Sequence, residues 1–247
     1  MTVSETAETN HKLPSVSSLV SSTYNFLATP PNASVLLGFA GWLFVPILIS
    51  LGGSFLEPDI NKYVHLLANI LLFGLSLWAT CAIIISVTSL IRPDLAPKDA
   101  VTSVSELAWR RAITLLWIGL LSGVLQILGL FLFIIPGIVI MVWFAFAEIE
   151  AVLNGSGTLL ALKQSRARVR GYFFPVLWRL AAFGLLLVTG VTLLLWPILS
   201  AKGLTDPMVI IYATPAWLNA LLSMLEVLLL PIILTYELHL YFSLRKS

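Results

Sequence analysis

Few residues in this 247-residue chain are of types that do chemistry, and their placement is informative. Charged residues make up 11% of the sequence and hydrophobic ones 59%. An average soluble domain carries about 25% charge, so an ordinary globular protein is excluded. Glu226 is the deepest charge, about ten residues inside a long apolar run and so about 15 Å from its start. A carboxyl at that depth is costly and usually faces a bundle interior. It suits a proton or cation site, or a contact to a polar ligand. A protonated carboxyl hydrogen-bonded to a neighbouring helix would explain it without any such role. The lack of a second deep charge favours that simpler explanation.

Glu148, Glu150, Arg179 and Glu237 fall near the ends of apolar runs at one depth. Arg179 is expected to pair with one of the three carboxylates if their helices are neighbours, as a structural staple. Lys163, Arg166, Arg168 and Arg170 form a basic helix in which Arg166 and Arg170 share a face. Four cations beside an anionic leaflet attract lipid headgroups at about 1 kcal/mol each. Ordinary positive-inside bias would produce the same count with no specific ligand.

Other chemistry is sparse. His11, His65 and His239 lie in a tail and at two opposite span ends, without metal-site spacing. One cysteine, Cys81, can form neither an internal disulfide nor a cysteine cluster. Gly155-Ser156-Gly157 lacks the strand-turn-helix setting of a nucleophile elbow. It reads as a helix end followed by a new helix, with Ser156 or Thr158 as cap. A net charge of +2 gives no basic surface for nucleic acid. No cofactor, metal or catalytic set is expected.

These side chains must be positioned by membrane-spanning helices. Six spans are expected, at about 34–55, 65–91, 113–133, 137–153, 174–198 and 215–241. From Ala112 to Ala147 there are 36 uncharged residues, which as one helix would reach about 54 Å. A break at Phe133-Ile134-Ile135-Pro136-Gly137 divides this run into a tight hairpin. Gly119 and Gly123 offer a small-residue face for an internal helix contact. Pro46, Pro175, Pro197 and Pro231 kink spans or mark their ends.

Charge bias orients the spans. Lys12, Arg92, Lys98, Arg110, Arg111, Lys163, Arg166, Arg168, Arg170, Arg179, Arg245 and Lys246 fall on one side, against Lys62 and Lys202 on the other. Both termini are therefore expected in the cytoplasm. Residues 1–12 carry Glu5 and Glu8 where a signal peptide would be cationic, so no cleaved signal is expected. Residues 1–33 read as a cytoplasmic tail containing an interfacial helix over 13–27. Ser15-Val16-Ser17-Ser18-Leu19 is echoed by Ser103-Val104-Ser105-Glu106-Leu107 and more loosely by Thr158-Leu159-Leu160-Ala161-Leu162. Each precedes a pair of spans, and apolar residues recur there at three- and four-residue steps. Three units of interfacial helix plus hairpin would account for this, as would chance similarity among Ser- and Leu-rich stretches. The fold class is an all-α polytopic membrane bundle with amphipathic interfacial helices.

Pro136-Gly137, Asn154-Gly155-Ser156-Gly157, Ala161-Leu162-Lys163-Gln164-Ser165 and Gly171-Tyr172-Phe173 follow one another in an order that resembles a bacterial multi-pass family. That family includes the membrane domain attached to some glycerophosphodiester phosphodiesterases and related stand-alone proteins. The resemblance covers about residues 101–185. It implies a membrane domain in a bacterial plasma (inner) membrane. It does not imply the phosphodiesterase, whose barrel would need about 250 further soluble residues.

The expected role is a non-enzymatic one: binding anionic inner-leaflet lipid or organising a membrane-protein partner. The alternative is a transporter or channel using Glu226, consistent with mid-span prolines and internal repeats. A membrane-embedded lipid enzyme ranks third, resting on the Glu148, Glu150, Arg179 and Glu237 group.

Overall fold

A computed structural model describes residues 13–53, 58–97, 103–201 and 216–245. Ten α-helices run through these segments: α1 Val16–Leu27, α2 Pro30–Gly41, α3 Phe44–Gly53, α4 Pro58–Ile91, α5 Val104–Leu132, α6 Ile134–Phe144, α7 Ala147–Asn154, α8 Thr158–Val169, α9 Phe173–Ala201 and α10 Ala216–Arg245. A single 3-10 turn follows α4 at Pro93–Leu95, and the described residues include no strand. Six stretches are long and apolar enough to cross a membrane: Pro30–Gly53, Ile60–Ile91, Val104–Leu132, Ile134–Asn154, Phe173–Ala201 and Leu218–Arg245. The protein is an all-α multi-pass membrane protein.

Two spans are broken helices. The first consists of α2 and α3, separated at Trp42-Leu43. Pro46 has no N–H to offer the Trp42 carbonyl, so the helical ladder lapses there. The fourth consists of α6 and α7, interrupted at Ala145-Phe146. Pro231 lies inside α10 without breaking it, and the Thr235 hydroxyl donates to the Pro231 carbonyl at 2.7 Å.

The hairpin inside the uncharged 36-residue run turns more sharply than the sequence suggests. Phe133 alone leaves helical geometry, at φ −165° and ψ 152°, and α6 begins at Ile134. Pro136 and Gly137 thus belong to the first turn of α6 rather than to the connection. A proline fits there because first-turn amides have no helical partner. Gly137 serves close packing: a Cβ on it would lie 2.5 Å from the Leu130 side chain and 3.0 Å from the Leu130 amide nitrogen. Gly119 and Gly123, expected to form the tight contact in α5, face open space instead. The close approach is made by Gly129, one to two turns further along α5, against Gly137 of α6.

The echoed Ser-Val-Ser segments are matching helix starts. Ser15 Oγ accepts from the Ser18 amide and Ser103 Oγ accepts from the Glu106 amide, each at 3.2 Å. The third segment differs, because Gly157 is the N-cap of α8 and neither Ser156 nor Thr158 caps it by a side chain. α1 and α8 are separate short helices. The second expected interfacial helix is not separate: from Val104 it runs unbroken into the span as α5.

Packing is uneven along the bundle. Cys81 to Ile85 on α4, Phe146 just before α7, Ile149 to Leu153 on α7, and Tyr236 and Tyr241 on α10 are buried at the end that carries the basic residues. At the other end apolar side chains point outward, with Phe131 87% and Phe133 72% exposed at the hairpin tip. In lipid an outward apolar side chain carries no hydrophobic penalty, so a core is needed only where polar groups must be held.

Candidate functional site

The break in the fourth span is bridged by α8. The Ser165 hydroxyl donates to the Trp143 carbonyl at 2.7 Å and accepts from the Phe146 amide at 3.2 Å. It thereby satisfies two of the backbone groups that the interruption leaves without helical partners. Ala161, Leu162, Ser165 and Val169 form the buried face of α8, at helical spacing. Gly155 ends α7 at φ 62°, and a Cβ there would meet the Arg111 guanidinium at 3.4 Å. The loop and the basic helix are thus fixed against the bundle.

That docking sorts the four cations of the basic helix. Arg168 Nε binds the fully buried Glu150 carboxylate at 2.5 Å, and its guanidinium lies 4.5 Å from the centre of the Tyr241 ring. Asn154 holds the second Glu150 oxygen at 2.5 Å. Arg166 stacks on Trp143 at 4.1 Å. The Lys163 and Arg170 side chains are exposed and make no hydrogen bond or ion pair among the described residues. Elsewhere at this end, Arg110 pairs with Glu106 at 2.8 Å, and Arg92 grips both Asp94 oxygens at 3.0 and 3.1 Å. The Arg92 hydrogen bonds hold the Asp94 carboxyl below the usual aspartate range.

An open cleft of about 480 Å³ lies between the end of α8 and the end of α10. Arg168, Arg170, Arg245, Tyr172 and Gln164 line it, with Glu150 and Asn154 at its base. The Gln164 Oε1 atom is buried without a donor among the described residues. Arg168 is held in place by Glu150 and Tyr241, whereas Arg170 and Arg245 present exposed guanidinium groups. Such a cleft can receive an anion by fork-shaped hydrogen bonding.

The second candidate group does not assemble as expected. Arg179 pairs with none of Glu148, Glu150 or Glu237. Its guanidinium donates to the carbonyls of Pro14 at 2.7 Å, Leu13 at 2.9 Å and Pro175 at 2.8 Å. The chain leading into α1 carries carbonyls with no helical partner, and Arg179 ties it to α9. Tyr236 supports this join, donating to the Arg179 carbonyl at 3.0 Å while its ring stacks on Phe183 at 3.8 Å. Glu148 and Glu237 are near enough for their charges to interact, and Glu148 and Arg111 both act on Cys81. Glu226 is exposed on α10 and makes no ion pair among the described residues. The five residues therefore occupy four separate places.

One polar cluster escapes sequence reasoning. Near the opposite end, α3, α4 and α10 surround a cavity of about 500 Å³ lined by Ser50, His65, Asn69, Asn219 and Ser223. Ser50 Oγ and His65 Nδ1 are 2.6 Å apart. His65 and Asn69, like Asn219 and Ser223, are four residues apart within apolar spans, so each pair shares a helix face. That spacing was the available signal. Among the described residues no group of His, Cys, Asp or Glu could hold a metal ion. Comparisons with protein families, with curated proteins and with solved structures find no match for this chain.

Proposed function

We propose that this chain is a non-enzymatic protein of a bacterial plasma membrane, with both termini in the cytoplasm, that binds anionic inner-leaflet lipid in the cleft between α8 and α10. The observation that carries this reading is the partnering of the cations. Arg92, Arg110, Arg166, Arg168 and Arg179 are engaged within the protein, whereas Arg170 and Arg245 face a shared cleft and form no ion pair among the described residues, Arg245 acting on Asp94 only through space. Burying Glu150 beneath Arg168 fixes the cleft's inner wall without filling its mouth. The bacterial membrane and the orientation rest on the family resemblance and on the twelve-to-two cation bias.

The test is mass spectrometry of the protein extracted into native-lipid nanodiscs. Anionic lipid should be enriched in the wild-type protein. Arg170→Gln with Arg245→Gln should lower that retention about thirtyfold, from two cations at about 1 kcal/mol each. Lys163→Gln, outside the cleft, should change it little. Equal anionic-lipid content in wild type and the double variant refutes the proposal. A reproducible protein partner would instead favour a membrane-organising role. Reporters fused after Ser247 and inserted near Gly203 test orientation, which fails if the first lies outside or the second inside.

A further inference from the structure

We infer that the cavity between α3, α4 and α10 is a second binding site, at the end of the bundle opposite the basic cleft, for an uncharged hydroxyl-bearing group. Its polar residues are placed as a set. Ser50 lies one turn before the end of α3, His65 and Asn69 lie two and three turns into α4, and Asn219 lies one turn into α10. Ser223 follows Asn219 by one turn on the same face. The rest of the lining is apolar, from Pro46 and Ile47 on one wall to Leu72 on another.

The charge and hydrogen bonding of the lining select the ligand class. No lining residue is Asp, Glu, Lys or Arg. A charged ligand would lose its hydration there and meet no Asp, Glu, Lys or Arg to pair with. The Asn69, Asn219 and Ser223 side chains make no hydrogen bond among the described residues, and both asparagines are exposed within spans. Exposed amides in a membrane seek partners, because lipid tails supply none. Each amide offers two donors and an acceptor oxygen, and Ser223 offers both roles. Hydroxyl groups, which donate and accept at once, match that lining. The Ser50–His65 bond sets one wall of the cavity by fixing the imidazole. The apolar walls would take a short stretch of alkyl chain. The shared chemistry is therefore a polyol, carried by a lipid head or free in solution.

Native mass spectrometry of the full chain in an amine-oxide detergent, whose head carries no hydroxyl, tests this directly. Monoglucosyl diacylglycerol and free glucose are the probes, with phosphatidic acid as a charged control. Saturable binding of one glucolipid, without glucose binding, assigns a lipid source; binding of glucose as well assigns a soluble one. In either case Asn69→Leu with Asn219→Leu should weaken binding at least tenfold, the loss expected for two hydrogen bonds. Ser223→Phe, which fills the cavity, should abolish it. Phosphatidic acid retention in the basic cleft should survive both changes, so a failure of the two sites can be told apart. Absence of binding by both polyol probes, or binding undiminished by the leucine and phenylalanine variants, overturns the inference. So does a dimer of the chain that the leucine pair dissolves, which would make the asparagines a contact between copies.

Discussion

Arg168→Gln is the substitution whose consequence the structure defines most closely. Arg168 is 20% exposed and neutralises Glu150, which is fully buried. Removing the guanidinium leaves the carboxylate with the Asn154 amide and no charge partner. Breaking a buried pair from one side costs about 3–5 kcal/mol, a large part of the 5–15 kcal/mol typical of a folded domain. At roughly 2–4 °C per kcal/mol for a chain of this size, the midpoint should fall by about 6–20 °C. Glu150→Gln should cost less, about 1–3 kcal/mol, since Arg168 can turn toward the cleft and water. The double variant should regain most of the loss, because neither side retains an uncompensated buried charge. Cys81 supplies the assay: it is the only thiol and is fully buried, so a thiol-reactive dye reports unfolding on heating. The reasoning is refuted if Arg168→Gln melts with the wild type, or if the double variant is less stable than Arg168→Gln alone.

Three further outcomes follow from the same geometry. Ser165→Ala should cost about 1–3 kcal/mol in the same thiol assay, because the Trp143 carbonyl and Phe146 amide lose their bridging hydroxyl; an unchanged midpoint would show that α7 is held without it. Gly137→Ala should cost about 1–3 kcal/mol, since the Leu130 amide nitrogen at 3.0 Å from the new Cβ is backbone and yields less readily than a side chain; a stabilised variant would contradict the close hairpin packing. Arg179→Met should release the chain leading into α1 and speed its cleavage by added protease, and Arg179→Lys should not restore protection, because one ammonium cannot reach three carbonyls in a fork; protection equal to wild type in either variant would show that Arg179 is not the tether.

Local requirements made part of this molecule legible. A membrane crossing demands about 20 consecutive apolar residues, so the six spans could be placed from residue order, although the third begins at Val104 rather than near 113. The division of the uncharged run near Phe133 was likewise forced by length. The Ser15 and Ser103 starts could be read as an echo because a cap acts on an amide three residues away. The candidate sites were less legible. The basic helix was visible as a cluster, but its exposed and engaged cations could not be separated without knowing which face of α8 meets α7.

Sequence by itself determined a six-span helical membrane protein with its cations gathered at one end, since hydropathy and charge act span by span. Tertiary structure alone decided which groups meet. Arg179 reaches carbonyls at Leu13 and Pro14, more than 160 residues earlier, instead of a carboxylate on a neighbouring span. Arg168 finds Glu150 across the α7–α8 turn, and His65 finds Ser50 across the α3–α4 hairpin. Each partnership depends on how helices are rotated about their axes, and in a lipid-facing bundle that rotation is set by close packing and polar pairing between helices rather than by any apolar stripe within one.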